Sequence, residues 1–275
     1  MTMRSCREPV NDKISVLMGI YNCAPTLKEA VASIQAQTYS NWELILCDDG
    51  STDNTYAIAK ELAEQDNRIL LLKNDRNLGL NKTLNRCFHA SSGAFIARMD
   101  GDDLSVPERF EKQLTFLKEH PEFGLVSSPM ILFDETGDWG RTTSPEYPTA
   151  AQVVAGTPIC HAPVMMRREC LEAVNGYTED PHMLRVEDVN LWIKLYAAGY
   201  RAYNLQEPLY KMRNDQNALN RRKYRYRINS TYTRLQGCRL LHLGPASYLN
   251  AFKPMIYGLV PAGLRALYTK RKRKI

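Results

Sequence analysis

Four short apolar runs, each followed by a segment of helical periodicity, constrain this chain more than any other feature. Lys13–Tyr21 (KISVLMGIY), Trp42–Cys47 (WELILC), Arg68–Lys73 and Phe95–Met99 read as buried strands. Between them, Thr26-x-x-Glu29 reads as a capping box ahead of Leu27, Ala30, Val31 and Ile34 at helical spacing. Thr55 to Glu64 and Leu80 to Ala90 read as two further helices. The order is βαβαβαβ, with connections short enough for a parallel sheet carrying helices on both faces. The chain has 275 residues, room for one such domain and an appendage.

In a sheet of this kind ligands bind outside the carboxyl ends of the strands. Those ends are acidic here. The second strand runs into Asp48-Asp49-Gly50-Ser51-Thr52-Asp53, and the fourth into Asp100-Gly101-Asp102-Asp103. Three carboxylates within four residues repel one another unless a cation or donor hydrogens sit among them. Oxygen-only ligands beside a strand suit Mg²⁺ or Mn²⁺ shared with substrate phosphates; the alternative is a solvated acidic turn. Ser105-x-x-Glu108, with Pro107 between, reads as the start of a helix running to Lys118. Beyond it, Phe123–Phe133 and His161–Arg167 read as strands, Arg168–Val174 as a helix stopped at Asn175-Gly176, and Val189–Ala198 as a helix led by Glu187-Asp188. Tyr203–Met212 holds a last strand or two around Pro208.

Six stretches in this order, SVLMGIYN, QAQTYSNWELILCDDGSTDNT, NLGLNKTLN, IARMDGDDLSVPERF, HAPVMMRRE and EDVNLWIKLYAAG, resemble the family 2 inverting glycosyltransferases of the GT-A fold, over about residues 13–213. The resemblance implies an α/β, GT-A (Rossmann-like), mostly parallel sheet and transfer of one sugar from a nucleotide-sugar, expected to be a UDP-sugar. Asp49 is then expected to accept the imide N–H of the base, with Asp48 capping the next helix, and Tyr21 either stacks on the base or packs at the strand end. Asp100 and Asp102 match the family's D-x-D pair, with Asp102 on Mn²⁺ or Mg²⁺ and Asp100 reaching the ribose or the metal's water shell. Asn77, Gly79 and Lys82 match its N-x-G stretch, where Lys82 either touches phosphate or is a solvated helix residue. Asp188 matches the general base, and Glu187 is expected to bind donor sugar or acceptor; the alternative is that both only start the helix at Val189. His161 orients an acceptor or phosphate, or is structural. Arg213 stands where a residue folds over the diphosphate, although Lys211-Met212-Arg213-Asn214 departs from the family's basic-residue-plus-His pattern. Two rivals compete: a sugar-nucleotidyltransferase, which would carry a Gly-rich N-terminal loop not found around Gly19, and a non-catalytic binding or scaffold protein, against which the intact Asp49, Asp100, Asp102 and Asp188 argue.

Charge divides the chain. Residues 1–215 hold 30 acidic and 22 basic side chains, whereas 216–275 hold fourteen Lys or Arg and no Asp or Glu, giving a net charge of +6. Residues 1–214 are therefore expected to form the catalytic domain, and 215–275 a basic helical appendage. Tyr224, Tyr226, Leu235, Leu240, Leu241, Leu243, Tyr248, Phe252 and Ile256 supply it with apolar anchors. Such a segment lies on an anionic membrane surface, which suits a glycan acceptor on a polyprenyl-diphosphate carrier; the alternative is a cap packed on the domain with a solvated basic face. No nucleic-acid-binding module is recognisable, so nucleic acid is not an expected partner. Met255–Val260 is too short to cross a bilayer, and the opening MTMRSCREPVNDK is neither signal peptide nor span. Seven cysteines without C-x-x-C spacing point to reduced thiols. The expected location is cytoplasmic, peripheral to the inner face of the cell membrane.

Overall fold

A computed structural model describes residues 12–214 and 224–259. The first half alternates as its apolar pattern dictates: β1 (Ile14–Ile20), α1 (Leu27–Gln35), β2 (Trp42–Asp48), α2 (Thr55–Gln65), β3 (Ile69–Lys73), α3 (Leu80–Ala90) and β4 (Phe95–Arg98). A short β5 (Leu104–Ser105) precedes α4 (Arg109–Glu119), β6 (Leu125–Ser127), β7 (Met130–Asp134) and β8 (Gly137–Arg141). Then follow α5 (Ala150–Ala155), β9 (Met165–Arg167), α6 (Arg168–Ala173), a 3-10 turn at Pro181–Met183, α7 (Glu187–Ala197), β10 (Ala202–Asn204) and β11 (Tyr210–Arg213). Three helices close the described chain: α8 (Arg225–Leu240), α9 (Pro245–Ala251) and α10 (Lys253–Leu259).

The main sheet has seven strands in the order β10-β6-β9-β4-β1-β2-β3, and a second has four, β5-β11-β7-β8. In the main sheet only β9 runs antiparallel, between β4 and β6. Successive side chains of β1 point to opposite faces, and each face has its own core. Val16 and Met18 pack with Val31 and Ile34 of α1 and Phe110 of α4. Leu17 packs in the opposite core with Leu84 of α3, Val154 of α5 and Trp192 of α7. The chain winds outward from β1 through β2 and β3, then returns to the other side of β1 with β4. That reversal opens a crevice at the carboxyl ends of β1, β2 and β4.

Three local expectations fail for physical reasons. Ser105 does not cap a helix: it pairs with Tyr210 of β11, its hydroxyl accepts from Gln37 Nε2 at 3.1 Å, and the helix starts at Arg109. The Thr26 hydroxyl does not cap α1 but donates to Gly101 O at 3.0 Å, tying that helix to the acidic turn. Phe123–Phe133 is not one strand: the chain leaves the main sheet after Ser127, crosses Ser128-Pro129 and enters the second sheet at Met130. Helix α5, with a complete Thr149/Gln152 capping box, is an element the sequence reading did not anticipate.

The C-terminal helices pack on the domain. Cys238 and Ala251 belong to the same apolar core as Val154 and Trp192. Of the expected surface anchors, Leu235, Leu241 and Leu243 turn toward that core and Tyr226 is half-buried. Tyr224, Ile228, Tyr232, Leu240, Tyr248, Leu249, Phe252 and Ile256 face outward. The basic run Lys270–Lys274 lies outside the described residues. Among the described residues, no helix is long and apolar enough to cross a membrane, and the six described cysteines are free.

Candidate active site

The acidic turn is built on a buried arginine. Arg98, 6% exposed at the end of β4, holds Asp100 with both terminal nitrogens, Nη1 to Oδ2 at 2.6 Å. The Asp100 amide donates to the Tyr210 hydroxyl at 3.1 Å. Gly101 is pressed onto the end of β1, where a Cβ would stand 2.8 Å from Ile20 Cγ2 and 2.9 Å from Cys23 Sγ. Asp102 is exposed at the rim; desolvation by the crevice walls and the charge of Asp100 push its carboxyl up to about 6. Asp103 is buried, accepts from the Arg213 amide at 2.7 Å, and is raised well above the usual carboxylate range by burial, Asp100 and Asp102. Arg213 lies over the turn, its Nε donating to Asp102 O at 3.0 Å and its Nη2 to Glu29 at 2.6 Å, with the guanidinium 4.5 Å from the Phe133 ring centre.

Oxygens of Asp100, Asp102 and Asp103 lie within 4.8 Å of one another. Two of the three carboxyls are raised above their ordinary range, in part by one another's charge, so a divalent cation there would relieve that repulsion. The donor set is all oxygen, which fits Mg²⁺ or Mn²⁺. Asp103 adds a third candidate ligand to the expected pair, and the run of carboxylates was its signal.

At the end of β2 the neighbouring aspartates separate. Asp48 is fully buried and turns back to accept from Ser51 N at 3.2 Å. Asp49 faces the 74–79 loop and accepts three donors: Asn74 Nδ2 at 2.8 Å and Leu78 N at 2.8 Å on Oδ1, and Gly79 N at 2.9 Å on Oδ2. A carboxylate has about four acceptor sites, so Oδ2 keeps capacity for one more N–H. Gly50 is required: its φ is +71° and a Cβ would stand 2.6 Å from the Arg76 carbonyl carbon. Gly79, with φ +90°, opens α3 in space where a Cβ would meet nothing. Tyr21, Asn77 and Lys82 are exposed.

The third group sits at the start of α7. Glu187 and Asp188 are half-buried, and Val189 N donates to Asp188 Oδ1 at 2.8 Å. Burial and the Asp188 charge raise the Glu187 carboxyl. These carboxylates and the acidic turn share a neighbourhood around Tyr177. Its hydroxyl, raised by burial, feels the charges of Arg98, Glu187, Asp188 and Asp100. It meets His161 Nε2 at 2.8 Å, and the His161 ring packs edge-on against buried Trp192 at 5.7 Å. Burial and Arg98 lower His161 well below its ordinary range, so it is neutral at pH 7. Tyr177 is fixed from α3: Asn85 donates to its carbonyl and accepts from its amide, both at 2.8 Å, and Asn81 donates to Thr178 O at 2.7 Å. The helix that begins at the Asp49 loop thus also braces the Tyr177 segment.

Comparison with known proteins decides the family. Residues 15–174 match the model of glycosyl transferase family 2. A Bacillus subtilis (strain 168) relative named as a glycosyltransferase, EpsE, is 44% identical over 261 residues, covering 94% of each chain. The chain belongs to glycosyl transferase family 2. Among more distant members, the amylovoran biosynthesis glycosyltransferase AmsE of Erwinia amylovora is 31% identical, over 76% of this chain and 79% of its own. The UDP-Glc:alpha-D-GlcNAc-diphosphoundecaprenol beta-1,3-glucosyltransferase WfaP of Escherichia coli is 28% identical, over 70% and 73%. In three dimensions this family 2 glycosyltransferase superposes on S. aureus TarS 1-349 in complex with UDP-GlcNAc, with a TM-score of 0.70 at 16% identity, covering 94% of this chain and 79% of that one. The neighbourhood with solved structures of the GT-A type establishes the α/β fold.

Two residues of this glycosyltransferase's crevice were not singled out from sequence. Arg98 lies two residues before Asp100, a spacing that puts strand side chains on one face, and this was a readable signal. Tyr177 lies in a stretch without periodicity and gave none.

Proposed function

We propose that this family 2 glycosyltransferase is a metal-dependent inverting enzyme. It moves one sugar from a UDP-sugar to a lipid-diphosphate-linked glycan in surface polysaccharide synthesis. The observation that carries the reading is that Asp100, from the cluster Asp100/Asp102/Asp103, and Glu187/Asp188 all act on one buried Tyr177. The activity for which WfaP and a second Escherichia coli relative, WfgD, are named supports the donor and acceptor classes.

The residues divide the work as follows. Asp49, through the open site on Oδ2, accepts the imide N–H of uracil, while Tyr21 at the β1 end offers a ring face to the base. The Asn77–Gly79 loop, held by Asp49, lines the path from base to phosphates, with Lys82 exposed one turn into α3. Asp102, with Asp103 behind it and Asp100 clamped by Arg98, would hold Mn²⁺ or Mg²⁺, which supplies charge neutralisation to a diphosphate leaving group. Arg213 adds a fixed positive charge over the same turn. Asp188 takes the proton of the acceptor hydroxyl as that oxygen attacks the anomeric carbon. Glu187 hydrogen-bonds a sugar hydroxyl. A single displacement from the face opposite the diphosphate inverts configuration, so an α-linked donor gives a β-linked product. His161 and Tyr177 act as a neutral wall that fixes the distance between the two carboxylate groups.

The outward residues of α8–α10 give the enzyme a place to meet a lipid-linked substrate. Tyr224, Ile228 and Tyr232 recur one turn apart, Leu249 is 75% exposed, and Arg225, Arg239 and Lys253 are exposed around them. Exposed apolar side chains interspersed with basic ones suit peripheral binding to an anionic membrane surface. A transfer assay with radiolabelled UDP-glucose and UDP-N-acetylglucosamine, an N-acetylglucosaminyl-diphosphate-polyprenol acceptor, and Mn²⁺ or EDTA tests the reading. Metal-dependent labelling of the lipid fraction supports it. Donor binding without turnover on any acceptor would favour a non-catalytic role.

A further inference from the structure

Side chains of the stretch Ser51–Thr55, between β2 and α2, reach across to the turn that follows β1. Three consecutive amides of that turn each donate to one of them. Asn22 N donates to Ser51 Oγ at 3.0 Å, Cys23 N to Thr55 Oγ1 at 2.8 Å and Ala24 N to Asp53 Oδ2 at 3.3 Å. The other Asp53 oxygen stays with its own loop and accepts from Thr55 N at 2.9 Å. Asn22 returns the grip: its Oδ1 accepts from Thr52 N at 2.9 Å and from Thr52 Oγ1 at 3.4 Å. Its backbone stands at φ +49°, in the left-handed region that Asn enters more readily than most residues with a β-carbon. The bonds to Ser51 and Thr52 thus hold a conformation that the backbone alone does not prefer.

This turn touches both halves of the donor site. On one side, Asp49 N donates to Ile20 O at 2.8 Å, directly before Tyr21. On the other, Thr26 Oγ1 donates to Gly101 O at 3.0 Å, and a Cβ on Gly101 would stand 2.9 Å from Cys23 Sγ. Asn22 and Thr52 are themselves exposed, so their bonds add little to the core. We propose that Asn22 is a positioning residue for the nucleotide: its reciprocal bonds with Ser51 and Thr52 lock the β1 turn, and with it Tyr21 and the acidic turn, in the arrangement that receives a nucleoside diphosphate. This rests on the assignment of Tyr21 and Asp49 to the base and of the acidic turn to the metal. A turn locked in advance needs no ordering when the nucleotide binds, whereas a loose one loses affinity by the cost of that ordering.

The test is calorimetry of UDP with saturating Mn²⁺ on the full-length protein, reading Kd and stoichiometry together. Protein that fails to fold lowers the stoichiometry and leaves Kd in place, so Kd reports the turn. Asn22→Gly leaves φ +49° accessible and removes Oδ1; it should weaken UDP about three- to tenfold, the scale of one lost hydrogen bond. Asn22→Asp keeps an acceptor in the same place and tolerates the same φ, so it should bind UDP within about twofold of the parent. Ser51→Ala removes the acceptor of the Asn22 amide with the Asn22 side chain intact, and should weaken UDP in the same direction. A parent-like Kd in Asn22→Gly overturns the inference. Weak binding by Asn22→Asp together with parent-like binding by Ser51→Ala also overturns it, because the Asn22 amide group would then touch the nucleotide itself. Tyr21→Ala separates the two levels. If that variant binds UDP as the parent does, the base assignment falls. If it weakens UDP while Asn22→Gly does not, only the role of Asn22 falls.

Discussion

Arg98 holds Asp100 through two parallel N–H···O bonds while its own Nε, buried, has no acceptor. The guanidinium is thus aimed by one carboxylate. Asp100 is only half-buried and can rehydrate if its partner is lost, so Arg98→Gln should cost less than the ~3–5 kcal/mol of a stranded buried charge, at about 2 kcal/mol. The larger effect falls on the turn. Asp100 will swing, and the affinity for Mn²⁺ should drop about 10- to 100-fold, as for loss of other supports behind a metal ligand. Titration of Mn²⁺ by calorimetry, paired with a urea melt, checks both; unchanged metal affinity would mean that Arg98 serves the fold alone.

Asp49 spends three acceptor sites on the 74–79 loop. Asp49→Asn turns one acceptor oxygen into a donor facing Leu78 N, Gly79 N or Asn74, and a mispaired buried group costs about 1–3 kcal/mol. Affinity for UDP should fall at least tenfold because the base contact and the loop are lost together. Gly50→Ala should reproduce the loop effect with Asp49 intact, since its positive φ and the Arg76 backbone leave no room for a methyl. Calorimetry with UDP separates the two effects: if Gly50→Ala binds as tightly as the parent, the loop is not part of the base site.

Much of this arrangement is legible in the chain and part of it is not. The limits of α3, Leu80 to Ala90, follow from an apolar stripe beginning after Gly79, and β1–β4 follow from unbroken apolar runs. Ser105-x-x-Glu108 misled because the capping pattern is local, whereas Ser105 is claimed by β11, more than a hundred residues away. The apolar residues of the tail were equally ambiguous. Leu235 and Tyr232 look alike in sequence, and only the packing of α8 on α7 turns one inward and leaves the other exposed. Asp188 was visible by its place before an amphipathic helix.

The pH dependence of metal binding follows from the crowded turn. Asp102 is raised to about 6 and Asp103 also stands well above the ordinary value, so in the metal-free protein each keeps its proton to higher pH than an ordinary carboxyl. A raised carboxyl binds its proton more tightly folded than unfolded. Its contribution to stability is therefore present at acid pH and is lost as pH rises through the folded pKa. A cation must displace those protons, so its affinity should fall as pH decreases through about 6. The increase in Tm caused by Mn²⁺ should accordingly be larger at pH 7.5 than at pH 5.5. An increase independent of pH would place the cation elsewhere.

The outward face of α8–α10 predicts attachment without disturbing the core. Truncation is a poor probe, because Ala251 of α9 is fully buried. Ile228→Glu, Phe252→Glu and Ile256→Glu each change an exposed side chain and should cost within about 0.5 kcal/mol of stability. Together they should abolish co-sedimentation with phosphatidylglycerol-containing vesicles, and high salt should weaken the parent's binding. Unchanged sedimentation of the triple variant would assign this face to something other than lipid.

The proposed single displacement, with Asp188 as its base and the acidic turn at the diphosphate, is tested most directly by the anomeric configuration of the product. With an α-linked UDP-sugar donor, Mn²⁺ and the diphosphate-polyprenol acceptor, the proton coupling across the new glycosidic bond should report a β linkage in the parent. Asp188→Asn should bind the donor normally but form the product about 10²- to 10⁴-fold more slowly. An α-linked product, or a β-linked product formed at the parent's rate by Asp188→Asn, would contradict a single displacement with Asp188 as its base.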